Sequence, residues 1–190
     1  FEPDAEECGR LNKLAEANSA PWRSLRFVPA ALSEHGGAKT LYLTRRRGTS
    51  SLLEANVEFA ERFGRGDYFI VDDVVDIETV PLDSIVDEND IANAAYMKID
   101  VEGFEMEVFR AAKRLLEGPL LAIRCEVTFV PARRNQPFYG DIEGYLRGFG
   151  FMPMGFAEHH HWRRRTKLKH PVKTRGRIPY SKGQLMHGDM

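Results

Sequence analysis

Two carboxylates one residue apart, Asp100 and Glu102, follow an apolar run over residues 94–99 and precede Gly103. A carboxylate can take a proton from a hydroxyl, accept its hydrogen bond, or hold a cation. Immediately afterwards Phe104, Val108, Ala112 and Leu115 recur at helical spacing. The acids therefore stand where a buried strand turns directly into a helix, which is the form of an α/β crossover. In open α/β sheets ligands bind outside the carboxyl ends of the strands, so this is a place for chemistry. The same acids would also suit the positive N-terminal end of the next helix as simple caps. Spacing alone leaves both readings open.

Two further acids occupy comparable places. The chain opens Phe1-Glu-Pro-Asp4, and Pro3 with Asp4, Glu6 and Glu7 suits the first turn of a helix. Leu11, Leu14, Ala15 and Asn18 continue its stripe, so a helix is predicted over residues 5–18. Glu2 then falls at the tip of a strand whose body lies upstream of residue 1. In nucleotide-binding α/β folds an acid so placed accepts hydrogen bonds from ribose hydroxyls, each worth roughly 1.5–3 kcal/mol. Glu126 lies late in the apolar run over residues 120–127, one crossover after Asp100 and at the same sheet edge. Either it forms a salt bridge with Arg124 or Arg133, or it orients the hydroxyls of a substrate.

The elements that must position these acids alternate along the chain. A strand is expected near residues 26–31, ending in Leu32 and Ser33. Gly36 and Gly37 then turn into a second strand over 39–43, giving an antiparallel hairpin. A short helix is expected at 53–63, and Asp72 and Asp73 are expected to end a short strand and face water. Another strand at 77–80 leads through Pro81 into a helix over 82–86. After the crossover already described, Gly118 and Pro119 break the helix. The strand over 120–127 is followed by a helix at 140–149 and a further strand beginning in residues 150–155. Lys98 is expected to point away, since it alternates with Met97 and Ile99. No internal repeat is present.

Composition bounds the function. At 190 residues, 43% hydrophobic and 29% charged, the chain suits a single domain with a sizeable core, and a net charge of −1 gives no sign of a polyanionic partner. The two cysteines, Cys8 and Cys125, provide no disulfide framework, which favours a reducing cytoplasm. No apolar stretch approaches the ~18 residues of a membrane span.

Four segments in order, Phe1-Glu-Pro-Asp4, Ala31-Leu-Ser33, Gly48-Thr-Ser-Ser-Leu52 and Lys98-Ile-Asp-Val-Glu-Gly-Phe-Glu105, resemble the FkbM-type S-adenosylmethionine-dependent methyltransferases. The likeness runs from residue 1 to about residue 151. It implies a class I, Rossmann-like α/β methyltransferase sheet with flanking helices, and methylation of a hydroxyl oxygen on a sugar, glycan or natural product. It implies S-adenosyl-L-methionine as cofactor, with Glu2, Pro3, Leu32, Ser33 and Asp100 around it and Leu32 with Ser33 facing the adenine. Asp100 and Glu102 become the candidate bases, unranked, and Glu126, Ser50 and Ser51 the candidate substrate contacts. The family carries a first strand and glycine-rich turn before its Glu-Pro motif, and a last strand where this chain ends at Gly188-Asp-Met190. One domain over residues 1–190, truncated at both ends, is therefore expected.

The stretch 159–177 is strongly basic and free of Asp and Glu. It reads as a solvated insertion, as a lid over an acidic substrate, or as a phosphate-binding surface for nucleic acid; few aromatic residues accompany it, which makes the last reading the least supported. His159 and His161 could share an ion on one strand face, but no second ligand cluster is evident, and no metal is expected. Two alternatives to a sugar or natural-product methyltransferase stand: a non-catalytic α/β binding module, and a nucleic-acid methylase using the basic tail. The oligomeric state is not encoded legibly.

Overall fold

The computed structural model describes residues 1–87, 91–162 and 183–190. Helix α1 (Ala5–Ala17) starts where expected, because the Asp4 side chain accepts the N–H groups of Glu6 and Glu7. Its Asn12 side chain then grips the following extended segment, accepting from the Phe27 N–H at 2.7 Å and donating to the Phe27 carbonyl at 2.9 Å. Glu2 N–H also donates to the Val28 carbonyl at 3.0 Å. These side-chain and terminal contacts stand in for a ladder, so only Ala31–Leu32 of the expected strand pairs as a strand, β1.

Strands β2 (Gly37–Thr44) and β3 (Val71–Val80) complete a three-stranded sheet in the order β1-β3-β2. The expected hairpin between the first two strands does not form. Strand β3 runs between them, parallel to β1 and antiparallel to β2. Thr79 makes the join: its hydroxyl bonds the Gly37 carbonyl and the Ser33 hydroxyl, each at 2.7 Å. Asp72 and Asp73 do face water, but they lie inside a ten-residue strand instead of ending a short one. Helices α2 (Val57–Glu61) and α3 (Leu82–Ile85) lie near their expected places.

Strand β4 (Tyr96–Ile99) leads into helices α4 (Glu105–Arg110) and α5 (Lys113–Glu117), two short pieces where one helix was expected. Asp83 explains the break. Its N–H takes the Ala111 carbonyl at 2.8 Å, and its carboxylate accepts the Arg114 N–H at 3.1 Å, giving α5 a start of its own. The predicted apolar face survives the break, with Phe104, Val108, Ala112 and Leu115 all buried.

Strand β5 (Ala122–Thr128) pairs in parallel with β4, and helix α6 (Tyr139–Arg147) follows. Residues 150–155, expected to begin a strand, form none; Pro153 offers no N–H there. The strand comes later, as β6 (Glu158–Trp162), and the chain ends in β7 (Gln184–Asp189). The second sheet has the order β4-β5-β7-β6, with β7 antiparallel to both neighbours. Strand β7 thus lies directly beside β5. The remainder of the basic stretch, residues 163–177, lies outside the described residues.

The described residues thus form a mixed α/β fold of two sheets and six α-helices. Its main core gathers Ile99, Phe109, Leu115, Cys125, Val127 and Ile142 between the second sheet and its helices. Cys8 and Cys125 are both buried free thiols. No helix among the described residues is long and apolar enough to cross a membrane. What matters for chemistry is the register Ile99↔Cys125, which sets the residue after each partner, Asp100 and Glu126, side by side at one sheet edge.

Candidate functional site

The turn from β4 into α4 is held in an uncommon shape. Glu102 has φ +56° and Gly103 φ +98°. A side chain in this left-handed region costs roughly 1–3 kcal/mol and persists only where the surroundings enforce it. Three contacts do so. The Glu105 carboxylate, 3% exposed, accepts the N–H groups of Val101 at 3.1 Å and Gly103 at 3.2 Å. Ser51 donates its hydroxyl to the Glu102 carbonyl at 2.8 Å. A Cβ at Gly103 would meet the Gln136 amide nitrogen at 2.8 Å, so only glycine lets Gln136 lie there.

The Glu102 carboxylate so presented bonds the guanidinium of Arg133, which is 5% exposed and also donates to the Thr49 carbonyl at 3.0 Å. Burial pushes the Glu102 pKa up to about 7; Arg133 opposes this, and the charges of Glu126 and Asp100 add to it. Burial likewise raises Glu105 to about 7 against its backbone donors.

Glu126 pairs with neither arginine suggested for it. Its carboxylate meets the Nδ1 of His187 on β7, while Arg124 turns to Asp189 and Glu158. The His187 ring stacks on His160, centroids 4.3 Å apart and planes 7° apart. Burial acts to lower the His187 pKa, but the hydrogen bond and charge of Glu126, with Glu102 and Asp189 behind it, outweigh burial and raise it above 6.5.

Two cavities meet at Glu102. One, of about 410 Å³, is lined by Phe1, Pro3, Leu32, Asp100, Val101 and Phe104 among others. The other, of about 380 Å³, is lined by Tyr68, Phe69, Glu126, Arg133, Trp162 and His187 among others. Both fall in the size range of small-molecule sites. Glu102 lines both.

Residues 1–153 match the family model of the methyltransferase FkbM domain. The chain belongs to that family. No curated protein and no solved structure matches it. The FkbM match includes the first cavity's named residues and Glu102, Glu126 and Arg133 of the second; Trp162 and His187 lie beyond it.

Against that match, the candidate residues of this FkbM chain divide as follows. Leu32 and Asp100 line the first cavity, and so do Ser50 and Ser51, which had been grouped with Glu126 as substrate contacts. Glu126 lines the second. Pro3 and Phe1 line the first cavity on either side of Glu2, which is half-buried and accepts the Asp4 N–H at 2.9 Å. Ser33 is fully buried, its hydroxyl bonded to Thr79 and to the Gly36 N–H, which makes it a turn-forming residue. Lys98 does not point away: its ammonium meets the Asp100 carboxylate at 2.6 Å.

Oxygens of Asp100, Glu102 and Glu126 lie within 4.8 Å of one another. Each already has a side-chain partner, the ammonium of Lys98, the guanidinium of Arg133 and the imidazole of His187 respectively. His159 and His161, the pair considered for an ion, stand 6.4 Å apart ring to ring. His187 and Trp162 are the residues that sequence reasoning missed. A histidine in a six-residue strand after a basic stretch carries no spacing signal, and its acid partner is 61 positions away.

Proposed function

We propose that this FkbM domain transfers a methyl group from S-adenosyl-L-methionine to a hydroxyl oxygen of a sugar, glycan or natural product. The observation that carries this reading is the single carboxylate, Glu102, common to two adjoining cavities of different character. The apolar walls of the first cavity, Leu32, Val101 and Phe104, suit an adenine ring, and Asp100 with the nearby Glu2 supplies acceptors for ribose hydroxyls. In the second, Tyr68, Phe69 and Trp162 offer ring faces for the apolar face of a sugar, while Glu126 and Arg133 offer polar partners.

When bound, the cofactor supplies a methyl group on a positively charged sulfur, ready for in-line attack. The protein's contribution is alignment, which can supply ~7–11 kcal/mol of the barrier. Glu102, fixed by Arg133 and by its enforced backbone at the junction of the two cavities, would present its carboxylate to that sulfonium charge. Calorimetric titration with S-adenosylhomocysteine tests the reading. Binding by the native protein, weakened at least about tenfold in Leu32→Arg, which fills the first cavity, is the expected result. No binding by the native protein would refute the reading.

A further inference from the structure

We infer that His187 is the catalytic base of this site, held by Glu126 and receiving the acceptor's hydroxyl proton on Nε2. The inference rests on the methyl-transfer reading above and deepens it, since that reading leaves Asp100 and Glu102 as the candidate bases.

Geometry separates the three groups. Asp100 lines only the first cavity and is tied to Lys98 at its exposed edge. Glu102 stands at the junction, but the carboxylate oxygen that bonds the buried guanidinium of Arg133 is committed there and not open to an acceptor's hydroxyl. His187 lines the second cavity, and its Nδ1 is engaged by Glu126. A carboxylate on Nδ1 requires the Nδ1–H tautomer and leaves the Nε2 lone pair as the basic site. The flat stack on His160 fixes the plane of the ring, so Nε2 has one direction in which to work. A base oriented by an acid behind it is the general arrangement for activating a hydroxyl.

The step balances. The acceptor oxygen forms its bond to the methyl carbon, the carbon–sulfur bond breaks with its electron pair left on sulfur, and the hydroxyl proton passes to Nε2. The imidazolium then loses that proton to water. Glu126 is a positioning residue: it holds the tautomer and stabilises the imidazolium. The charged or titratable groups facing His187 are Glu126 from β5, Glu102 from the turn after β4, Asp189 from β7 and His160 from β6. Three of the four are acids, which favour the protonated product of the step. Turnover needs unprotonated Nε2, so it rises with pH through the His187 pKa, above the ordinary 6.5.

The test uses the full-length protein with 15N-labelled histidine, S-adenosylhomocysteine for binding, and methyl glycosides as probe acceptors with labelled S-adenosylmethionine. The nitrogen spectrum of His187 is expected to show Nδ1–H and bare Nε2 at high pH, with a pKa that falls in Glu126→Gln. His187→Ala and His187→Gln are expected to keep S-adenosylhomocysteine affinity and to lose ~100-fold or more in turnover. In Glu126→Gln the acid limb of the pH profile shifts to lower pH. An Nε2–H tautomer, a His187 pKa unchanged in Glu126→Gln, or probe turnover within threefold of native in His187→Gln would each overturn the inference while the methyl-transfer reading stood. A native protein that fails to bind S-adenosylhomocysteine would remove both.

Discussion

The two cavities that share Glu102 differ in how they are built. The first is lined by the segment before α1, by β1, β2 and β3, by the loop at 47–52 and by the turn after β4, all within the family match. The second is assembled from long-range pairings, Glu102 with Arg133 and Glu126 with His187, and needs β6 and β7 to close it. The apolar cavity suits a ligand part common to many enzymes, and the charged one a part particular to this protein. On the proposed reading, one strained residue, Glu102, separates the cofactor's cavity from the acceptor's.

The sharpest way to break that division is at the residue that makes it. Glu102→Ala leaves the Arg133 guanidinium buried without its carboxylate, and a loss of about 3–5 kcal/mol in urea unfolding is expected. Arg133→Ala should cost less at pH 6 than at pH 8, because the orphaned Glu102 can take up a proton. Equal losses at both pH values would show that the pair is not coupled as drawn.

The next effect concerns the base of the division, the turn held by Glu105. Glu102 and Glu105 both rise from 4.5 to about 7 on folding. The folded state therefore binds more protons than the unfolded chain between those values, and stability falls as pH rises across that window. The raised His187 pKa works in the same direction, because its contribution is lost as pH rises above 6.5. Glu105→Gln keeps an acceptor for the N–H groups of Val101 and Gly103 but cannot ionise. It should shrink the stability difference between pH 5 and pH 8 by on the order of 2–3 kcal/mol in denaturant titrations. An unchanged difference would place the pH dependence elsewhere.

The smallest effect is expected at the rim of the first cavity. Lys98 and Asp100 are both about two-fifths exposed, at 44% and 43%. Lys98→Met should change stability by less than about 1 kcal/mol, as is usual for surface ion pairs. A larger loss by thermal unfolding would mean that this pair, and not the buried one, anchors the turn.

Much of the first cavity was legible in the sequence because its signals are local. Asp4 caps α1, Gly103 follows the acids, and the strand-acid-helix order survives intact. The break at Ala111 was not legible, since it depends on Asp83 from another element bonding across. Nor was the order of the first sheet: the glycines at 36 and 37 signal a turn, but Thr79 decides that β3 lies between the strands on either side. The second cavity was half visible. Glu126 stood out as an acid on a central strand, whereas His187 acquires its role only when β7 is laid against β5 in the register that pairs Thr128 with His187. Hydrophobic period and turn chemistry specify elements; partners across a sheet are fixed by tertiary packing.

A crystal structure of the protein with S-adenosylhomocysteine tests the central assignment most directly. Adenine between Leu32 and Phe104, the ribose toward Asp100 and the sulfur facing Glu102, with the His187 cavity left open, is the arrangement expected. A ligand seated among Tyr68, Trp162 and His187, or lying away from Glu102 altogether, would contradict it.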